Sequence, residues 1–232
     1  MQHLSFSHAG DLGDIVASLA VIKQMGGGSL FITDRGDGRR ESMKGARFEA
    51  IRPLLEAQPY LNLVGWMDDP HTDHDFSDFR HDHVPNEDLA TWQGRHVGVK
   101  TCLDPWLLAY RSPKSIGRVI VARSFRYQNQ DFPWKRLVAQ YRKQILFVGL
   151  PDEHRHFQIA AGAIVEYQPT RDLLEMAELI AGCDLFIGNQ SCPFWIAAGL
   201  GVKLIQETYL QVQNSTIKRP NTKYFTRQPF DL

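Results

Sequence analysis

The chain has 232 residues, of which 43% are hydrophobic and 22% charged, ordinary values for a globular protein. Its 26 Lys and Arg balance its 26 Asp and Glu, so no global field draws it to nucleic acid or to a membrane surface. The three cysteines, Cys102, Cys183 and Cys192, offer neither a disulfide framework nor zinc spacing and fit a reducing compartment.

The first predicted element is the strand Leu4–Ser7. A turn, Gly10-Asp11-Leu12-Gly13-Asp14, leads into a helix from about Asp14 to Gln24, with Ile15, Leu19 and Ile22 at helical spacing. Gly26-Gly27-Gly28 stops it. A strand over Leu30–Thr33 follows. Phe48–Ala57 reads as a helix whose apolar face is Phe48, Ile51 and Leu55, with Pro53 either inside it or marking its start. Asn62–Trp66 is a strand, and Asn86–Trp92 a short helix.

Between them, Asp68–His83 holds six Asp, four His and one Arg. His71, Asp73, His74, Asp75, His81, Asp82 and His83 are of metal-ligand type, but their spacing fits no defined motif. The stretch reads first as a solvated acidic loop, with one short strand at most.

Pro105 and Pro113 bracket an amphipathic connector, taken here as the boundary between domains 1–112 and 113–232. Beyond it strands and helices alternate. Strand Arg118–Ala122 precedes helix Trp134–Lys143, and strand Ile145–Val148 precedes helix Asp152–Phe157. Strand Ala163–Glu166 leads to helix Asp172–Ala181, with Leu173, Met176, Ala177 and Ile180 inward. Strand Leu185–Ile187, helix Cys192–Leu200 and strand Lys203–Gln206 complete the series, and the tail from Thr208 is weakly patterned. Repeated βα units predict parallel sheet covered on both faces. The N-terminus lacks a basic leader and no apolar run is long enough for a bilayer, so a cytoplasmic protein without a signal peptide is expected.

Two turns carry the chemistry. One is the GDLGD turn. The other lies in Asp184–Gln206, DLFIGNQSCPFWIAAGLGVKLIQ, a strand, a polar turn, a helix and a strand. Backbone N–H groups at such a turn are free to hold an anion. Ala197, Ala198, Gly199 and Gly201 keep the second helix thin enough to lie close to a sheet. Between the two turns, Pro113–Lys143 holds eight basic residues and one acid, Asp131, and suits a phosphate-bearing ligand. The spacing of GDLGD is not that of G-x-G-x-x-G, which ranks a nicotinamide dehydrogenase low.

These segments resemble glycosyltransferase family 9, the group containing the bacterial heptosyltransferases. Gly10–Ile15 is similar to the family's G-x-[LM]-G-D-[IV] turn, and Ile145–Glu153 to its strand followed by G-x-x-x-E. Leu173–Val202 resembles its helix, strand, G-N-D-S-G-P-x-H turn and A-A-x-G-V run, and Pro133–Arg136 its W-P-x-K-R-W segment. The stretch from about Gly36 to Lys114 has no counterpart. Where the family has Asp, Gly and His in the last turn, this chain has Gln190, Cys192 and Trp195. The chain is also short for the fold.

The resemblance implies a GT-B architecture: α/β, two Rossmann-like domains facing a cleft. It implies metal-independent, inverting transfer of a sugar from a nucleotide diphosphate donor to a hydroxyl, with no cofactor beyond that co-substrate. Asp14 is the expected catalytic base, although Asp14 or Asp11 also suits a helix cap. The donor side is expected to use Gly13, Arg123, Arg126, Lys135, Asn189, Gln190, Ser191, Trp195 and Glu207. Arginines and lysine would meet the diphosphate, Trp195 would stack on a base or sugar, and Glu207 would bind ribose hydroxyls. Expected acceptors are a surface glycan or lipid-linked saccharide, with a modified DNA base disfavoured by the neutral charge. The alternative is a non-catalytic nucleotide or nucleotide-sugar binding module, which the three departures favour.

Overall fold

A computed structural model describes residues 3–34, 42–82, 84, 87–209, 211–212, 214–217 and 221–225. His83 and Asn86 lie outside the described residues.

The first half forms a four-stranded parallel sheet. Its strands are β1 (Ser5–His8), β2 (Gly28–Ile32), β3 (Leu61–Trp66) and β4 (His74–Asp75), in the order β3-β2-β1-β4. Helices α1 (Leu12–Gln24), α2 (Ala46–Glu56) and α3 (Leu89–His96) belong to this half. In β1 the side chains alternate: Phe6 enters the core, while Ser5 and Ser7 face away. There Asp73 accepts from the Ser5 hydroxyl at 2.7 Å and Asp75 from the Ser7 hydroxyl at 3.0 Å, which ties β4 to the sheet edge. The acidic stretch is thus partly strand and partly a short 3-10 turn, Phe79–Asp82.

The second half forms a six-stranded parallel sheet of order β10-β9-β8-β5-β6-β7. Its strands are β5 (Val119–Ala122), β6 (Ile145–Phe147), β7 (Glu166–Tyr167), β8 (Leu185–Asn189), β9 (Leu204–Glu207) and β10 (Thr222–Phe225). Helices α4 (Trp134–Tyr141), α5 (Pro151–Ala161), α6 (Leu173–Gly182) and α7 (Cys192–Leu200) cover it on both faces. Ile120, Leu146, Phe186 and Leu204 join the core under α6 and α7, while Val119, Val121, Ile145, Phe147 and Ile187 join a second cluster under α4 and α5. This is the near-continuous apolar strand expected of a doubly covered parallel sheet.

The two halves meet through helices. α1 packs on α7, and α2 on α6, so one hydrophobic cluster runs from Phe6 and Leu30 in the first sheet to Phe186 and Leu204 in the second. The connector threads this seam. Trp106 and Leu107 donate their backbone N–H groups to the Gly199 carbonyl at 2.8 and 2.9 Å. Trp106 Nε1 donates to the Val16 carbonyl at 3.0 Å. Gly199 is required there for space, as its Cβ would stand 2.7 Å from Leu107 Cδ1 and 2.9 Å from Trp106 Nε1.

Three elements differ from expectation. The helix expected at Asn86–Trp92 is α3, shifted to Leu89–His96, because Asp88 caps it by accepting from Thr91 N at 3.0 Å. α5 runs on to Ala161, where Gly162 at φ +64° ends it, so β7 starts later than expected. The weakly patterned tail contains β10, an edge strand with too short a signal to read. α2 runs through Pro53, its face held by the fully buried Ile51, Leu54 and Leu55.

Gly199→Ala inserts a methyl into the packed seam against Leu107 and against Trp106 Nε1, the donor to the Val16 carbonyl. Overpacking of this kind costs about 1–3 kcal/mol. Urea unfolding should show a lower midpoint with an unchanged slope; a parental midpoint would mean the seam is looser than described.

Candidate functional site

The strand–turn–helix unit after β1 and the one after β8 converge on one pocket, which encloses about 200 Å³. The two helix starts touch: a Cβ on Gly13 would lie 3.4 Å from Trp195 Cδ1 and 3.5 Å from Cys192 Cα. The pocket wall takes Asp11, Gly13, Asp14, Arg47 and Arg80 from the first half. From the second it takes Arg126, Tyr127, Gln190, Ser191 and Trp195.

Asp14 is buried at the floor. Arg80 Nη2 donates to both of its carboxylate oxygens at 2.8 Å, and Asp11 N donates to Oδ2 at 3.2 Å. The residue therefore closes the start of α1 and holds an ion pair at once. Arg47 pairs with Asp11 at 3.0 Å, and Arg126 approaches Asp11 Oδ2 from the other half at 3.6 Å. Three guanidinium groups and two carboxylates thus line one pocket, with two helix N-termini beside them. Ser191 stands at the N-cap of α7, but its hydroxyl donates to the Asn189 carbonyl at 3.2 Å instead of capping. The sum favours an anion.

His8 lies beneath the turn, fully buried. Its Nδ1 accepts from Gly10 N at 2.8 Å, and its Nε2 lies 3.1 Å from the Gln93 amide nitrogen, which donates to the Asp14 carbonyl at 2.9 Å. Gly10 permits this: a Cβ there would overlap His8 Cε1 and stand 2.7 Å from Asp14 Cβ. Burial lowers the His8 pKa from 6.5 to about 4, against the pull of the Asp14 and Asp75 charges. The Cys192 thiol is pushed up to about 12 by burial and by the nearby Asp14 charge, so it stays protonated.

The pocket gathers Asp14, Gly13, Arg126, Gln190, Ser191 and Trp195 of the expected set. Asn189, Arg123, Glu207 and Lys135 stand elsewhere. Asn189 is buried behind the wall and holds the loop after β5: its Oδ1 accepts from Ser124 N at 3.0 Å, and its Nδ2 donates to the carbonyls of Ser124, at 3.0 Å, and Arg126. Gln190 does the same for the loop after β9, accepting from Tyr209 N at 2.7 Å and donating to the Val212 carbonyl.

Arg123 and Glu207 are buried against each other, with Nε and Nη2 donating to the two carboxylate oxygens at 2.8 Å. Glu207 also accepts from Asn129 N at 2.8 Å and Trp134 Nε1 at 3.1 Å. Lys135 is exposed on α4, its stem against Gly162. Trp195 is 2% exposed and wedged between Trp106 and Phe194.

Arg47, Arg80 and Tyr127 were not singled out from the sequence. Arg80 is the lone Arg of the Asp/His stretch, and that charge contrast was its only signal. Among the described residues no group of three or more His, Cys, Asp and Glu is placed to hold a metal ion, and no helix is long and apolar enough to cross a membrane.

The two facing α/β units with a pocket between them define the GT-B fold. Solved structures agree. The chain superposes on a glycosyl transferase family 9 protein from Veillonella parvula with a TM-score of 0.61, at 12% identity over 97% of this chain and 86% of that one. For the iron-containing dodecameric glycosyltransferase TibC of enterotoxigenic E. coli the values are 0.60 and 14%, over 99% of this chain and 64% of that one. For the E. coli heptosyltransferase WaaC with ADP-2-deoxy-2-fluoro heptose they are 0.54 and 11%, over 98% and 94%. No family model and no curated protein matches the sequence. At these identities the likeness is one of fold.

Two measurements check this geometry. Arg123→Ala leaves Glu207 charged and buried, so it should cost about 3–5 kcal/mol of stability. Arg126→Ala, at the exposed rim, should leave the urea midpoint nearly unchanged and weaken pyrophosphate binding; the reverse ranking would place Arg123 at the ligand.

The His8 imidazole binds a proton less well folded than unfolded. Its contribution is therefore complete above the unfolded value of 6.5 and is lost as pH falls toward about 4. Protonation at Nδ1 also sets a donor against Gly10 N–H. Between pH 7 and 5 this group should remove roughly 2 kcal/mol of stability. His8→Gln should flatten that part of the profile in paired urea titrations; an unaltered slope would assign the loss to other groups.

Proposed function

We propose that this chain is a glycosyltransferase that moves a sugar from a nucleotide diphosphate donor to a hydroxyl with inversion, and that Asp14 is its base. One observation carries the reading: the turns after β1 and β8 meet at a single pocket holding a buried carboxylate and three guanidinium groups. The GT-B fold supports it, and so does the binding of ADP-heptose by TibC and of an ADP-sugar analogue by WaaC.

In this mechanism Asp14 takes the acceptor hydroxyl proton as its oxygen bonds to the anomeric carbon from the face opposite the diphosphate. The bond from that carbon to the diphosphate breaks as the new one forms. The leaving charge falls to Arg126, Arg47 and the first turn of α7. The donor lies against residues after 113, with its diphosphate reaching Arg47 across the pocket, and the acceptor lies against residues before 113. No resident metal or cofactor is part of the scheme. The acceptor is a surface glycan or lipid-linked saccharide in preference to DNA.

The grip of Arg80 on both Asp14 oxygens favours a second reading, a nucleotide or nucleotide-sugar binding module without transfer. For Asp14 to accept a proton, a lone pair not engaged by Arg80 or by Asp11 N must face the acceptor hydroxyl.

Asp14→Asn separates the two. A panel of nucleotide sugars first identifies the donor by thermal shift, since a specific ligand stabilises in proportion to its excess over Kd. Transfer is then followed as release of nucleoside diphosphate. Loss of a general base costs about 10²–10⁴-fold in rate. Donor affinity should hold, while the melting temperature drops as the Arg80 ion pair is lost. Turnover within a few-fold of the parent would rule Asp14 out as base, and no turnover with any donor that binds would favour the binding module.

A further inference from the structure

Of the residues lining the pocket, Trp195 and Tyr127 are the aromatic ones. Trp195 is packed on both sides and offers an edge. Tyr127 is different. Among the described residues it is the only non-glycine at positive φ, +53°. A side chain in that region is strained, and such strain persists only where the surroundings over-determine it.

The surroundings do so here. Asn189 pins the loop at Ser124 and Arg126. Glu207 and the Thr208 carbonyl pin it at Asn129, at 2.8 and 3.0 Å. The buried Arg123–Glu207 pair fixes the second post. On the facing loop, Gln190 holds Tyr209 N, and the Tyr209 ring stands 5.7 Å from that of Tyr127, tilted by 44°. Arg126, the preceding residue, donates to the Tyr127 hydroxyl at 3.2 Å, lies over that ring at 5.0 Å from its centroid, and faces Asp11 across the pocket. A ring is thus held at the rim, and an anion-binding group lies beside it.

We propose that Tyr127 is the stacking platform for the planar base of a nucleoside diphosphate, with Tyr209 beside its ring and Arg126, which lies over the ring in the free chain, swinging off it to the phosphates as the base takes its place. This rests on the nucleotide-binding reading of the pocket and adds the residue that reads the base. The enclosed volume suits the phosphates, and the base lies out along the rim on the Tyr127 ring. Stacking is tolerant of base identity, so this contact selects for a base over a bare diphosphate, without choosing among bases.

The test is calorimetric titration with ADP, adenosine and inorganic pyrophosphate on the parent chain, Tyr127→Ala, Tyr127→Phe and Tyr127→Gly. Tyr127→Ala should weaken ADP and adenosine about ten-fold or more and leave pyrophosphate unchanged. Tyr127→Phe should bind ADP like the parent. Tyr127→Gly should lose the same affinity as the alanine variant but melt at a higher temperature, because glycine accepts this backbone conformation. Unchanged ADP affinity in Tyr127→Ala, an equal loss for pyrophosphate, or an alanine variant as stable as the glycine one would each overturn the assignment and leave the nucleotide reading intact. A parent chain that binds none of the three ligands would overturn both.

Discussion

Everything in this fold follows from the close approach of α1 and α7. The start of one helix, at Gly13, rests on Cys192 and Trp195 of the other, and Gly199 allows the connector to cross behind them. The helix layers of the two halves thus fuse into one. The turns before α1 and α7 are then forced to share a pocket, and their unsatisfied N–H groups and carboxylates come within reach of one ligand.

Behind the pocket a second arrangement sorts charge by depth. Glu207 receives four donors and Arg123 is spent on it, so both act on loop geometry and not on solvent. Asn189 and Gln190 carry the same work forward as neutral amides, one for each loop. The guanidinium groups left at the surface of the pocket, on Arg47, Arg80 and Arg126, face the carboxylates of Asp11 and Asp14 across the junction of the two halves. An incoming anion would meet positive charge that is already oriented.

The sequence spoke clearly wherever burial was two-sided. The apolar strands of the second sheet, and the inward face Leu173, Met176, Ala177 and Ile180 of α6, could be read directly, because nothing competes with packing there. The two functional turns were legible for a similar reason: Gly, Asp and Ser between a strand and a helix leave few conformations. The edges were not. β4 owes its place to serine–aspartate hydrogen bonds, and β10 to its neighbour β9, so neither carries a hydrophobic period of its own. Among site residues, charge type was visible but depth was not. Arg123 and Arg126 look alike three positions apart, yet one is 4% exposed and the other faces the pocket. Arg47 and Arg80 come from the stretch where no motif guided the eye, and only the tertiary fold brings them to Asp11 and Asp14.

The shared core also bears on how a ligand reaches the pocket. Swinging the two halves apart would bring Trp106, Trp195 and Phe194 into water, large side chains that are now almost fully buried. At the rim the loop after β5 is fastened by Asn189 and by the contacts of Glu207 and Thr208 to Asn129, and the loop after β9 by Gln190. Entry of a ligand at the rim therefore leaves Trp106, Trp195 and Phe194 buried, whereas rotation of whole lobes would not. Asn189 and Gln190 each hold a different loop at the rim of one frame.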